Sequence, residues 1–140
     1  MRTLVLVIAA AALAACTTEE IIPFPPKGWD REKAEAAALA GDVQASNEVA
    51  HYYETHGTPA EQLRWYRVSA EAGSATGMQL LALALERQGG RTACAEAIEL
   101  HRKVAVIRES EGPGRGRTHA ADADRLEATR AECEARGARR

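Results

Sequence analysis

Residues 63–86, LRWYRVSAEAGSATGMQLLALALE, read as a helix that stops at Gly73 and restarts at once. Glycine adopts the left-handed backbone that ends a helix without steric penalty, and Ser74 is a good N-cap for the helix that follows. The same device stands 32 residues earlier, where Gly41 and Asp42 interrupt AALAGDVQASNEVAHYYE, residues 37–54. Laying 37–54 over 69–86 pairs Ala38 with Ala70, Ala40 with Ala72, Gly41 with Gly73, Ala50 with Ala82 and Glu54 with Glu86. Beyond the next loop the offset rises to 35, because the loop that begins GGRTAC is longer than the one that begins GTPA. Leu63 then pairs with Ile98, Trp65 with Leu100, Arg67 with Arg102 and Ala70 with Ala105. Two near-copies of a helix pair follow one another.

Working outward, Thr58-Pro59-Ala60-Glu61 is a helix start, with Thr58 as N-cap, Pro59 at the first helical position and Glu61 closing a capping box. The pattern predicts an all-α fold of about six helices, at 30–40, 42–55, 58–72, 74–88, 93–108 and 119–136. Ala75, Met78, Ala82 and Leu85 share one face at helical spacing, and Val43, Ser46, Ala50 and Tyr53 repeat it. The small residues Ala45 and Gly77 mark where paired helices approach most closely. A unit of this kind cannot bury its apolar face alone, so the expected architecture is a short α-solenoid of antiparallel helix pairs. DREKAEAAALA caps one end and the last helix, with Ala123, Leu126 and Cys133 on one stripe, caps the other. The 140-residue length and alanine-rich, aromatic-poor composition agree with one small helical domain.

The offset lies close to the roughly 34-residue period of tetratricopeptide units. The strings WYRVSAEAG and LALALERQGG, with Ala-Gly-Asp and Ala-Gly-Ser at the junctions, resemble Sel-one-like repeats, a tetratricopeptide-related family. The resemblance covers residues 36–106, two full units preceded by a half unit, and is most specific over 63–90. Leu100 and His101 stand where that family commonly has Trp-Tyr, so the second copy is degenerate. The resemblance implies a helical scaffold that binds a protein or peptide.

The N-terminus carries a different message. Arg2 followed by the apolar run Leu4 to Ala12 is the charged region and short hydrophobic region of an export signal, too short to span a bilayer. It ends in Leu13-Ala14-Ala15-Cys16, which resembles the lipobox of bacterial lipoproteins. That resemblance implies cleavage before Cys16, acylation of its sulfur and a mature chain anchored by two or three acyl chains, which hold a protein far more firmly than one. With no Asp after the cysteine, it further implies an outer-membrane location facing the periplasm. An ordinary secretory signal with an unmodified cysteine is the alternative. The chain then divides into a signal at 1–15, a lipidated cysteine and Pro-rich tether at 16–29, and a repeat domain at 30–140. Pro23, Pro25 and Pro26 make the tether partly extended, and Ile21, Ile22 and Phe24 either dock on the folded part or stay loose.

Cys16 aside, Cys94 and Cys133 remain in what would be an oxidising compartment. Cys94 lies on the buried face of the fifth helix near its start, and Cys133 near the end of the sixth. In an antiparallel hairpin both reach similar heights at about 1.5 Å per residue, so a disulfide is geometrically natural. Two buried free thiols are the alternative.

Signals for bond chemistry are weak. His51, His56, His101 and His119 show no His-x-x-x-His spacing, so any metal site would have to be assembled by folding, and neither a metal nor a cofactor is assigned. There is no Gly-x-Ser-x-Gly elbow and no Ser or Cys nucleophile in a recognisable signature. Gly112-Pro113-Gly114-Arg115-Gly116-Arg117-Thr118 leads into a helix and has the makings of an anion cradle of backbone amides, with Arg115 and Arg117 as the anion-binding candidates. The strand expected before such a cradle is missing, which favours a plain hairpin loop. His51, Tyr52, Trp65, Gln79 and Arg87 are the candidate partner contacts, although Trp65 and Tyr66 lie inside a helix where at least one should pack. The formal charge of −2, with both signs mixed along the chain, argues against nucleic acid. The expected function is recognition of an envelope protein or peptide by a lipid-anchored scaffold, with peptidoglycan fragments as another candidate ligand. A cell-wall-acting enzyme or accessory and a purely structural lipoprotein are the alternatives.

Overall fold

The computed structural model describes residues 24–138. The expected export signal, Cys16 and most of the expected tether lie outside the described residues. Within them the chain forms seven helices: α1 (Arg31–Leu39), α2 (Val43–His56), α3 (Pro59–Glu71), α4 (Ala75–Gln88), α5 (Arg91–Glu111), α6 (Arg117–Ala128) and α7 (Arg130–Gly137). Each packs on its successor, while α1 also reaches α3 and α2 reaches α4. The result is an all-helical solenoid of stacked antiparallel pairs, as the repeat predicts.

The two junctions are built alike. Gly41 and Gly73 both take φ of 94°, and each is bracketed by the same two hydrogen bonds. Gly41 N–H donates to Ala38 O and Asp42 N–H to Ala37 O, while Gly73 N–H donates to Ala70 O and Ser74 N–H to Ser69 O, all at 3.0–3.1 Å. This double closure satisfies the last carbonyls of one helix while the chain turns into the next. Asp42 then caps α2 by accepting from Ala45 N–H, and Ser74 caps α4 by accepting from Gly77 N–H. At α3 the Thr58–Glu61 capping box forms in full, with Pro59 in the first turn.

The buried positions also repeat. Ala38 and Ala70, Val49 and Leu81, Ala50 and Ala82, Trp65 and Leu100, and Tyr66 and His101 are all buried. Val43 departs from the expected face and is exposed, whereas its counterpart Ala75 is buried. The physical reason is neighbours: the long α5 extends beside the start of α4, where Arg108 donates to Thr76 at 3.3 Å, whereas among the described helices α2 packs only on α1, α3 and α4. Gly77 is a point of close approach. A Cβ there would lie 2.6 Å from Cβ of Ser69. Just beside it, Ser69 and Ser74 donate their hydroxyls to Oδ1 of Asn47 at 2.7 and 2.6 Å, so one side-chain amide of α2 ties down α3 and the start of α4.

The sixth predicted helix is two helices. Thr129, at φ −104° and ψ 20°, separates α6 from α7. Its hydroxyl and its N–H both donate to Arg125 O at 3.0 Å, and such back-bonding from a threonine bends a helix. The bend brings α7 onto α4 and α5, where Cys133 is disulfide-bonded to Cys94 with a Cα–Cα distance of 6.1 Å. The end of α7 fits tightly against the α4–α5 turn: Gly90 N–H donates to Cys133 O at 3.3 Å, and a Cβ on Gly137 would come within 2.6 Å of Gly90 Cα.

Candidate functional site

Between α3 and α4 an open cleft of about 530 Å³ is lined by Pro59, Ala60, Gln62, Leu63, Tyr66, Ala84, Arg87 and Gln88. Its position follows from the repeat. Helices α3 and α4 meet closely at Gly77 beside their junction, and the cleft lies towards their other ends, where Pro59 starts α3 and Gln88 ends α4. Tyr66 and Leu63 supply an apolar floor, with Gln62, Arg87 and Gln88 at the rim. Burial raises the pKa of Tyr66 above the ordinary phenol value, with Glu54 acting in the same direction and Arg87 opposing it, so the phenol stays neutral.

The predicted contact residues do not converge on this cleft. Arg87 lines it, whereas Gln79 is half-buried elsewhere on α4. Trp65 is a correction: it is only 2 % exposed, stacked 5.5 Å from the ring of Tyr53, and is a packing residue because α3 turns that face toward α2. His51 and Tyr52 belong to a second surface, made with the described end of the tether. Phe24 lies 4.6 Å from His51 and 5.7 Å from Trp29, Trp29 lies 5.0 Å from Tyr52, and Tyr52 stacks on His56 at 4.5 Å. Phe24 therefore docks. Trp29, which no pattern singled out, also donates Nε1–H to Glu48 at 3.3 Å. The signal that would have found it is an apolar residue directly before an N-cap, here Asp30, where such residues fix the entry of a helix. Tyr53 completes the row by donating to Glu35 at 2.7 Å, and this bond, followed by burial, raises its pKa.

The Gly/Arg loop also departs from expectation. The amides of Gly114 and Gly116 do cradle an anion, but the anion is Glu109 of the same chain, whose two oxygens accept from them at 2.8 and 3.1 Å. The Gly114 amide, and then that of Gly116, hold this carboxyl below the usual carboxylate range. Arg115 and Arg117 are exposed beside a cradle that is already filled, which removes the amide half of the anion-site reading.

Folding does assemble a cluster that spacing did not reveal. His101 of α5 and His119 and Asp122 of α6 each offer a ligand atom, and the three atoms lie within 4.8 Å of one another. His101 is 1 % exposed. Its Nε2 is 3.1 Å from Oε1 of Glu86, a carboxylate that Arg125 also holds at 3.2 and 3.3 Å. Nδ1 of His101 and Nδ1 of His119 are both buried, and neither hydrogen-bonds to any group among the described residues. An unpaired buried polar group costs about 1–3 kcal/mol, so two side by side call for an explanation. Burial lowers the pKa of His119, His101 and Arg108 act in the same direction, and Asp122 opposes them. His119-x-x-Asp122 places two of these side chains on one face of α6, but the third comes from across a loop whose register no local pattern sets.

Among the described residues no helix is long and apolar enough to cross a membrane. No protein-family model matches the chain, and comparison with curated proteins and with solved structures finds no significant match.

Proposed function

We propose that this chain is a lipid-anchored envelope lipoprotein of the Sel-one-like repeat type, whose helical solenoid holds a protein or peptide partner. The reading rests on the lipobox-like Leu13-Ala14-Ala15-Cys16 for the anchor and on the WYRVSAEAG and LALALERQGG strings for the family. The observation that carries the binding role is the α3–α4 cleft, open, apolar at Leu63 and Tyr66 and polar at its rim. Such a groove suits a peptide side chain, because the stacked helices fix its walls in advance and so limit the ordering cost of binding. The tether would keep the solenoid near the bilayer with its cleft facing an envelope partner.

The test is cross-linking and affinity capture of the lipidated protein from intact envelopes, run beside Cys16→Ser and Ala84→Arg forms. Ala84 lines the cleft and is half-buried, so the arginine fills the groove from its wall. A partner captured by the parent protein and lost with Ala84→Arg, at unchanged helix content, is the expected outcome. Equal capture by all three forms contradicts the role of the cleft, and unmodified Cys16 in the mass of the membrane-extracted protein contradicts the anchor.

A further inference from the structure

We propose that His101, His119 and Asp122 form a binding site for one divalent transition-metal ion of the zinc type, held across the α5–α6 hairpin. The three ligand atoms already lie within 4.8 Å of one another. In tetrahedral zinc sites N and O donors stand about 2.0–2.2 Å from the ion, which puts them roughly 3.4 Å apart. Closing that difference takes small side-chain rotations of His119 and Asp122, both only half-buried and at the open side of the cluster.

Glu86 supplies the strongest argument. An ionised carboxylate only accepts hydrogen bonds, so in the neutral imidazole the 3.1 Å contact with Nε2 of His101 selects the tautomer with its proton on Nε2 and the Nδ1 lone pair open to a ligand. Metal-bound histidines almost always donate their second ring N–H to a carboxylate or carbonyl in this way. Arg125, bonded to both oxygens of Glu86, fixes the carboxylate in turn. His101 is locked by burial, and its Nδ1 has no hydrogen-bond partner within the described residues. His119 adds a second imidazole whose Nδ1 is likewise unpaired, and Asp122 adds a negative charge.

The donor set decides the class of ion. Two imidazoles and one carboxylate suit zinc and its neighbours copper(II) and nickel(II), whereas calcium and magnesium require a shell of oxygens. The sulfurs of Cys94 and Cys133 are bound to each other and are not donors. Arg108, whose charge reaches His119, is itself paired with Glu111 at 2.9 Å. With three protein ligands and two of them half-exposed, the fourth position is left to water.

The experiment is titration of the full-length protein, kept oxidised, with zinc chloride and cobalt(II) chloride. One ion per chain is expected, with the visible absorption of four-coordinate cobalt and a rise in Tm with zinc. His119→Gln and Asp122→Asn should each weaken zinc binding at least about tenfold, and Glu86→Gln about 10- to 100-fold through the loosened imidazole, all with unchanged far-ultraviolet circular dichroism. The double change His51→Gln with His56→Gln, which removes the exposed imidazoles of α2, should leave stoichiometry and affinity as they are. If a histidine variant fails to fold, Asp122→Asn and the α2 double variant decide between them. No ion bound at micromolar zinc, binding that survives Asp122→Asn and His119→Gln, or binding lost with the α2 histidines overturns the proposal.

Discussion

The two repeat units share a frame and differ in what fills it. In the first, Trp65 and Tyr66 of α3 occupy adjacent buried positions, Trp65 stacked on Tyr53 and Tyr66 flooring a cleft. In the second, the same positions on α5 hold Leu100 and His101, smaller and in one case polar. The lost aromatic volume is offset by elements that the first unit lacks, namely the Cys94–Cys133 disulfide, the bent helix α7 and the Glu86–Arg125 clamp. The two helix pairs share most of their buried positions, Val43 against Ala75 being an exception, while the chemistry placed at them differs.

The comparison can be broken most forcefully at its aromatic end. Trp65→Ala should lower stability by about 3–5 kcal/mol. Leu100→Ala, at the equivalent place, should cost less, because α7 and the disulfide hold that unit by other means. Chemical unfolding followed by circular dichroism gives both values, and a larger loss for Leu100→Ala would reverse the reading.

Next in size is the disulfide. A bridge spanning 39 positions stabilises by about 4 kcal/mol in the chain-entropy account. Replacing Cys94 and Cys133 by alanine should approach that loss, with hydrogen-exchange protection falling first in α5 and α7 and last in α2 and α3. Uniform loss along the chain would mean that the two units are braced alike.

A smaller effect separates Ala45 from Gly77, the equivalent residues near the starts of α2 and α4. Gly77→Ala drives a methyl into Ser69 and should cost about 1–3 kcal/mol, whereas Ala45→Gly should cost only about 0.5–1 kcal/mol through backbone entropy. Thermal unfolding of the two variants checks the asymmetry.

The fold was largely legible because its decisive features are local. Gly41-Asp42 and Gly73-Ser74 carry the stop and the start of a helix in two residues, and Thr58 to Glu61 carry a complete cap. Thr129 escaped because a threonine inside an amphipathic stripe looks the same whether or not its hydroxyl turns back on Arg125. Trp65 was misjudged since helical spacing identifies a face but not the neighbour that covers it. The cluster of His101, His119 and Asp122 depends on the register of α5 against α6, set by long-range packing and the disulfide. Glu109 was overlooked as the occupant of the glycine loop, since a carboxylate five residues before Gly114 sits in the preceding helix and looks like part of its solvated face.

The smallest effect lies in that loop. The folded-state pKa of Glu109 is depressed, so its hold on the loop is fully present above the ordinary carboxylate pKa and is lost as the pH falls through the lowered value. Protection factors of the Gly114 and Gly116 amides should therefore drop in that acidic range while those of α2 do not. Glu109→Gln should remove the pH dependence.

Interdependence of the stacked pairs is most directly measured on the fragment 24–73, which contains α1 to α3 without the helices that cover them. Neither pair can shield its apolar side alone, so circular dichroism of this fragment should show little helix and no cooperative thermal transition, against a single sharp transition for the whole chain. A fragment that folds by itself, with its own cooperative melt, would contradict the account.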